Sequence, residues 1–159
     1  MDITILTVGK LKEAYWRDAY GEYAKRISRF ARLHTIEVPD ERAGEDLSAA
    51  LAAKAKAAEG ERLKKQWLAR AYTIVLDIQG QMFSSEQFAS FLHEKMVGGV
   101  SHVQFIIGGS LGLDERLVKA ADLKLSFGRL TYPHQLMRVV LAEQIFRGFK
   151  IMNGEPYHK

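Results

Sequence analysis

Five short apolar runs rich in β-branched residues, at 3–8, 35–38, 73–78, 103–107 and 123–127, constrain this chain more than any other feature. Each is too short for a free-standing amphipathic helix and has the length of a buried strand. Between them the patterning turns helical. Trp16, Tyr20, Tyr23, Ile27 and Phe30 recur at three- and four-residue steps and share one face, while Lys25, Arg26, Arg29 and Arg32 fall largely elsewhere. Residues 47–68 are rich in Ala, Lys and Glu, with Gly60 as a break or a packing contact. Ser84 followed by Gln87 forms a capping-box pattern that opens a helix to about Val97, with Phe88, Phe91 and Leu92 on its apolar side and Gly98-Gly99 as its stop. Strands alternating with stretches long enough for crossovers predict an α/β fold, a mostly parallel sheet with helices on both faces. Ligands bind such sheets at the carboxyl ends of the strands.

With 159 residues, 47% of them hydrophobic, the chain can bury one sizeable core, and a single domain over 1–159 is expected. There are no cysteines, so disulfides, thiolate metal ligands and a thiol nucleophile are excluded. Methyl transfer to a pyrimidine carbon through a cysteine adduct is excluded with them. An acid at Asp2 and the lack of a long apolar run argue against a signal peptide or a membrane span, which suits a cytoplasmic protein. The net charge of +4 favours an anionic partner such as nucleic acid, although many ordinary proteins carry as much.

Three loops at strand ends stand out. Ile106-Ile107-Gly108-Gly109-Ser110-Leu111-Gly112 leads from a strand into a glycine turn, where a ligand could approach backbone amides. Its spacing matches neither the dinucleotide fingerprint nor the P-loop. A branched side chain at Gly108 is expected to obstruct that ligand and leave the fold intact. Leu76-Asp77-Ile78-Gln79-Gly80 closes a second strand. Ser126 to Arg138 forms the third segment, read as strand, loop and then a helix to about Phe149, with Pro133 in its first turn, Thr131 as a nearby cap and Leu136, Val140 and Ile145 in its core. From Gly128 onward Arg129, Arg138, Arg147, Lys150 and Lys159 outnumber Glu143 and Glu155, so this end reads as locally basic. None of the five histidines has metal-ligand spacing, and no metal is expected.

Four ordered motifs then carry a resemblance. Ile107-Gly108-Gly109-Ser110-x-Gly112, Thr131-x-Pro133-His134-Gln135-x-x-Arg138, Glu143-Gln144-x-x-Arg147 and the terminal Pro156-Tyr157-His158-Lys159 resemble the ribosomal RNA large-subunit methyltransferase H family of the SPOUT class. The opening Ile5-Leu6-Thr7-Val8-Gly9-Lys10 fits as well, so the similarity spans the chain. Tyr132, Phe146 and Gly148 stand where Phe, Tyr and Ala are common.

The resemblance implies a C-terminal trefoil knot, a homodimer, and methyl transfer from S-adenosylmethionine to N3 of a pseudouridine in large-subunit (23S) ribosomal RNA within assembled subunits or ribosomes. It implies cofactor contacts at Leu76, Gly108, Phe127, Gly128, Arg129, Leu130, Thr131 and Tyr132. Catalytic roles are expected for His158, Tyr157 and Arg138, with His158 the best candidate base by its ordinary pKa. RNA contacts are expected at Lys25, Arg26, Arg29, Arg147 and Lys159. Two alternatives stay open at this point: a SPOUT enzyme acting on transfer RNA, and a ribosome-binding module without enzymatic activity.

Overall fold

The computed structural model describes residues 1–42, 44 and 47–157. The chain runs β1 (Asp2–Val8), α1 (Ala14–Ile27), β2 (Arg32–Val38), α2 (Ala49–Gln66), β3 (Tyr72–Met82), α3 (Ser85–Val97), β4 (His102–Ile107), α4 (Glu115–Ala120), β5 (Leu123–Ser126) and α5 (His134–Met152). The strands form one parallel sheet in the order β2-β1-β4-β3-β5. The expected α/β architecture is therefore present.

Strand alternation divides the core in two. Ile3, Ile5, Ile74, Val103, Phe105 and Ile107 pack on one face with residues of α1, α3 and α5, among them Ile27, Leu92, Leu141, Ile145 and Phe149. Leu6, Val8, Val75 and Ile106 face the other way, against Leu63 of α2 and Leu117 of α4. Successive strand residues point to opposite faces, so the central strands β1, β4 and the first half of β3 are apolar on both sides and read as nearly continuous apolar stretches, while the edge strands β2 and β5 carry polar residues such as Glu37 and Lys124. Gln104 is the buried polar exception in β4. Its amide donates to Thr73 Oγ1 at 2.6 Å and to the Leu68 carbonyl at 3.2 Å, and accepts from the Leu68 N–H at 3.1 Å, fastening the turn before β3.

Local chemistry explains most boundaries. Ser84 accepts from the Gln87 N–H at 3.2 Å while Gln87 accepts from the Ser84 N–H at 2.8 Å, completing the capping box. Gly60 does not break α2. It lets the helix approach α4, because a Cβ there would lie 2.8 Å from Asp114 Cβ.

Several expectations need correction. β2 begins at Arg32, three residues before the expected run, and α5 continues to Met152. α4 was not foreseen: its six residues are too few for a visible helical period, and they are started by Asp114, whose carboxylate accepts from the Arg116 N–H at 2.9 Å. Thr131 caps nothing, since α5 starts behind Pro133 with no side-chain cap. Leu136 and Val140 are only half-buried, and the α5 core is carried by Leu141, Ala142, Ile145, Phe146 and Phe149. β3 runs on to Met82 through a register shift between Leu76 and Gln81. Gly80 lies within that irregular stretch, and a Cβ on it would sit 2.6 Å from the Lys124 carbonyl carbon, so only glycine allows β3 to cross β5 this closely. Among the described residues no helix is long and apolar enough to cross a membrane.

Candidate active site

The carboxyl ends of β3, β4 and β5 and the first turn of α5 enclose a cavity of about 840 Å³. That is the size of a pocket for a nucleoside carrying an extended substituent. The loop after β4 forms one wall, from Gly108 to Leu113, and is pinched by a bridge between Gly109 and Gly112, with Gly112 N–H donating to the Gly109 carbonyl at 3.1 Å. Gly112 adopts φ +80°, a conformation that favours glycine. The opposite wall is the segment after β5. There Ser126 Oγ accepts from the Gly128 N–H at 3.1 Å and lies 3.1 Å from the Ile78 carbonyl, joining the ends of β3 and β5.

Of the residues expected at a cofactor, Leu76, Gly108, Phe127, Gly128, Leu130, Thr131 and Tyr132 line this one cavity. Arg129 does not; its side chain is exposed and lies outside the lining. The expectation for Gly108 also changes. A Cβ on it would meet the Gly112 carbonyl carbon at 2.7 Å and its oxygen at 2.8 Å, so added bulk strikes the loop's own backbone before it obstructs a ligand. Sequence reasoning missed the apolar walls supplied by Leu113 and Val118. His134 lines the cavity, and burial, helped by the neighbouring Arg138, lowers its pKa. The imidazole is therefore neutral near pH 7.

Of the expected catalytic residues, the two that are described, Arg138 and Tyr157, do not line this cavity. Arg138 is 1% exposed; its guanidinium pairs with the Glu37 carboxylate, donates to the Gly9 carbonyl at 2.9 Å and lies 3.3 Å from Thr7 Oγ1, while its Nε has no hydrogen-bond partner among the described residues. This geometry gives Arg138 a place that positions α5. Tyr157, beyond the end of α5, packs back on that helix, donating to Glu143 Oε1 at 3.2 Å with its ring edge-on to Phe146 at 4.9 Å and under the Arg147 guanidinium at 4.8 Å. Burial, reinforced by the Glu143 charge, pushes its phenol up to about 12. His158 and Lys159 lie outside the described residues.

The basic character of this end is weaker than a count of residues suggests. Arg138 pairs with Glu37, Arg147 with Glu143 (Nε to Oε1 3.0 Å) and Lys150 with Glu155. Lys25 on α1 and Arg29 just beyond it are exposed, whereas Arg26 is half-buried, paired with Glu22 at 2.7 Å and 5.7 Å from the ring centres of both Tyr23 and Phe146. Among the described residues no cluster of three or more His, Asp or Glu side chains could hold a metal ion.

Comparison with known proteins fits this geometry. Two solved structures share the fold: a probable methylase family protein from Haemophilus influenzae (TM-score 0.53, 13% identity, 99% of this chain and 70% of that one) and the tRNA (m1G37) methyltransferase from Aquifex aeolicus (TM-score 0.51, 13% identity, 92% and 70%). Proteins named ribosomal RNA large subunit methyltransferase H from Carboxydothermus hydrogenoformans and Bifidobacterium adolescentis are 55% and 52% identical over 159 residues, spanning all of this chain and all of theirs. A family profile described as predicted SPOUT methyltransferase matches residues 1–158. The chain belongs to the SPOUT methyltransferases and, within them, to the ribosomal RNA large subunit methyltransferase H family.

Proposed function

We propose that this methyltransferase carries a methyl group from S-adenosylmethionine to N3 of a pseudouridine in large-subunit (23S) ribosomal RNA, in assembled subunits or ribosomes, acting in the cytoplasm as a homodimer. The observation that carries the reading is the convergence of seven expected cofactor residues on one cavity in a chain whose full-length relatives bear an rRNA methyltransferase name.

The residues present fit the cofactor. Gly108, Gly109 and Gly112 bring backbone close to the cavity, while Phe127, Leu130 and Tyr132 offer apolar cover for a purine and its substituent. When bound, S-adenosylmethionine supplies an electrophilic methyl on a positively charged sulfur. The protein's share is to hold the target nitrogen in line with that methyl and to exclude water. The N3 proton of the target must also leave. The Tyr157 phenol, pushed up to about 12, keeps its own proton near neutrality and is no base. His158 or water takes that role in this reading.

Several features support the dimer and the threaded chain. Ile78, Met82 and Leu130 are 54%, 58% and 71% exposed at or beside the cavity, apolar side chains that a second copy would cover. Lys25 and Arg26 on α1 and Arg29 just beyond it, with Arg147 on α5, would meet RNA phosphates. A trefoil knot in the C-terminal part belongs to the same reading through the chain's membership of the SPOUT family.

The test is mass mapping of ribosomal RNA from cells lacking the gene, combined with calorimetric titration of S-adenosylmethionine. A single missing methyl on a large-subunit pseudouridine, restored by purified protein acting on ribosomes, is the expected result. Restoration on transfer RNA instead, or no cofactor binding, would replace this reading with one of the two alternatives.

A further inference from the structure

A carboxyl group that the proposed reaction does not use stands directly behind the glycine loop. Glu59 on α2 is 4% exposed. Its Oε1 accepts from the Glu41 N–H at 2.9 Å, while Oε2 is buried and has no hydrogen-bond partner among the described residues. A Cβ on Gly109 would lie 3.2 Å from Oε2, 3.4 Å from Oε1 and 3.1 Å from Val8 Cγ1. Gly109 in turn lines the cavity. The carboxyl and a bound ligand therefore face each other across one glycine, with no side chain of that residue between them. The brace is stiff, because the adjacent Gly60 is pressed equally closely against Asp114 at the far end of the loop.

The charges around Glu59 do not neutralise it. Asp40 and Glu41, on the segment after β2, are of the same sign. Arg62 donates to the Pro39 carbonyl at 2.9 Å and pairs with Glu41, and Asp114 is held by Arg116 at 2.7 Å. A buried charge with only one hydrogen bond is costly; burial, with the repulsion of Asp40 and Glu41, outweighs that bond and the attraction of Arg62 and pushes the Glu59 carboxyl upward. A cation placed in the cavity would relieve that cost.

We propose that Glu59 is a specificity-determining counter-charge, acting through Gly109 to favour the sulfonium form of the methyl donor over its neutral demethylated product. The inference rests on the reading of the cavity as an S-adenosylmethionine site. When the methyl leaves, the sulfur keeps the bonding electron pair and loses its positive charge. The attraction to Glu59 is then lost as product forms, which favours exchange of product for fresh donor.

Calorimetry with S-adenosylmethionine and S-adenosylhomocysteine on the wild-type protein and Glu59→Gln tests this. Glutamine keeps an acceptor for the Glu41 N–H and removes only the charge. Donor affinity should fall about five- to tenfold, as expected for a unit charge acting at short range through protein, while product affinity changes less than about twofold. An equal fall for both ligands, or an unchanged donor affinity, would overturn the proposal. Failure of both ligands to bind the wild-type protein would instead overturn the reading of the cavity. Should Glu59→Gln not fold, infrared difference spectra of the wild-type protein at mildly acidic pH decide the matter. Loss of a protonated-carboxyl band on binding donor and not product supports the counter-charge, and identical spectra for the two ligands refute it.

Discussion

Arg138 Nη2 donates to the Gly9 carbonyl at 2.9 Å, a bond that joins the second turn of the last helix to the end of the first strand across 129 residues. Gly9 has φ +81°, and a Cβ on it would lie 3.4 Å from His134 Nε2. The same guanidinium that anchors α5 thus sets the helix start against the cavity wall. Its pairing with Glu37 brings β2 into the same knot of contacts.

Removing that guanidinium should therefore disturb stability and cavity together. Arg138→Ala leaves Glu37 and the Gly9 carbonyl without their partner and is expected to cost about 3–5 kcal/mol in chemical denaturation. Glu37→Gln should cost less, because the Glu37 side chain is 30% exposed and water can solvate what remains. Both variants should bind cofactor more weakly in proportion to how far the start of α5 shifts, with Arg138→Ala the weaker binder by calorimetry.

Two glycine positions should respond in opposite directions. At Gly108 an added methyl meets backbone at 2.7 Å, so Gly108→Ala should distort the loop, lower stability by about 1–3 kcal/mol and abolish tight cofactor binding. At Gly148, inside α5, the nearest atom to an added methyl is Leu92 Cδ1 at 3.5 Å, an ordinary contact. Gly148→Ala should therefore stabilise the protein by roughly 0.5–1 kcal/mol by restricting the unfolded chain. A thermal melt and a binding titration on each variant separate the two cases.

Stability should fall on mild acidification, and two histidines set the sign. Burial lowers the pKa of both His134 and His102, so the unfolded chain takes up these protons before the folded one does. Their combined effect is absent above about pH 6.5 and destabilises the fold as pH drops from there through the depressed folded-state values. Denaturation midpoints measured from pH 7.5 down to about 5 should show this slope. His134→Asn should flatten part of it, the remainder combining His102 with the opposite contribution of Glu59, whose raised carboxyl takes up its proton first in the folded chain.

How far this was legible in the sequence depended on where the information lies. The five strands and the capping box at Ser84 were readable because they rest on local chemistry, alternating apolar runs and a Ser-to-Gln spacing. The cavity was readable as three loops, because strand ends in a parallel sheet converge wherever the strands pair. The burial of Arg138 was not legible because burial is a tertiary property: an arginine near a helix start looks the same whether it faces RNA or packs under its own helix against Glu37. Glu59 passed unnoticed in a helix rich in Ala, Lys and Glu, where one more glutamate looks like a solvated face. Only the approach of Gly109, fifty residues later, makes it unusual.

The final prediction concerns which cavity the C-terminal residues serve. Tyr157 is fastened to Glu143, Phe146 and Arg147, whereas the cavity meets α5 at His134, Gln135 and Met137. Gln135 and Phe146 are eleven positions apart, which along a helix is about 16 Å. Tyr157 is thus fastened away from the part of α5 that lines the cavity of its own chain. We expect the residues that follow it to act in the cavity of a second copy. Truncation after Pro156 should then leave cofactor binding unchanged and lower methylation of ribosomes by at least about tenfold, a loss of the size that general-base and positioning groups supply. Tyr157→Phe, which keeps the ring contacts and loses one hydrogen bond, should retain most activity. Mixing the truncation with Gly108→Val distinguishes the two arrangements. A tail acting across the dimer puts both lesions in one site of the heterodimer and leaves the other intact, so activity returns to about half that of a wild-type dimer. A tail acting within its own chain leaves one lesion in each site, and the mixture would stay inactive.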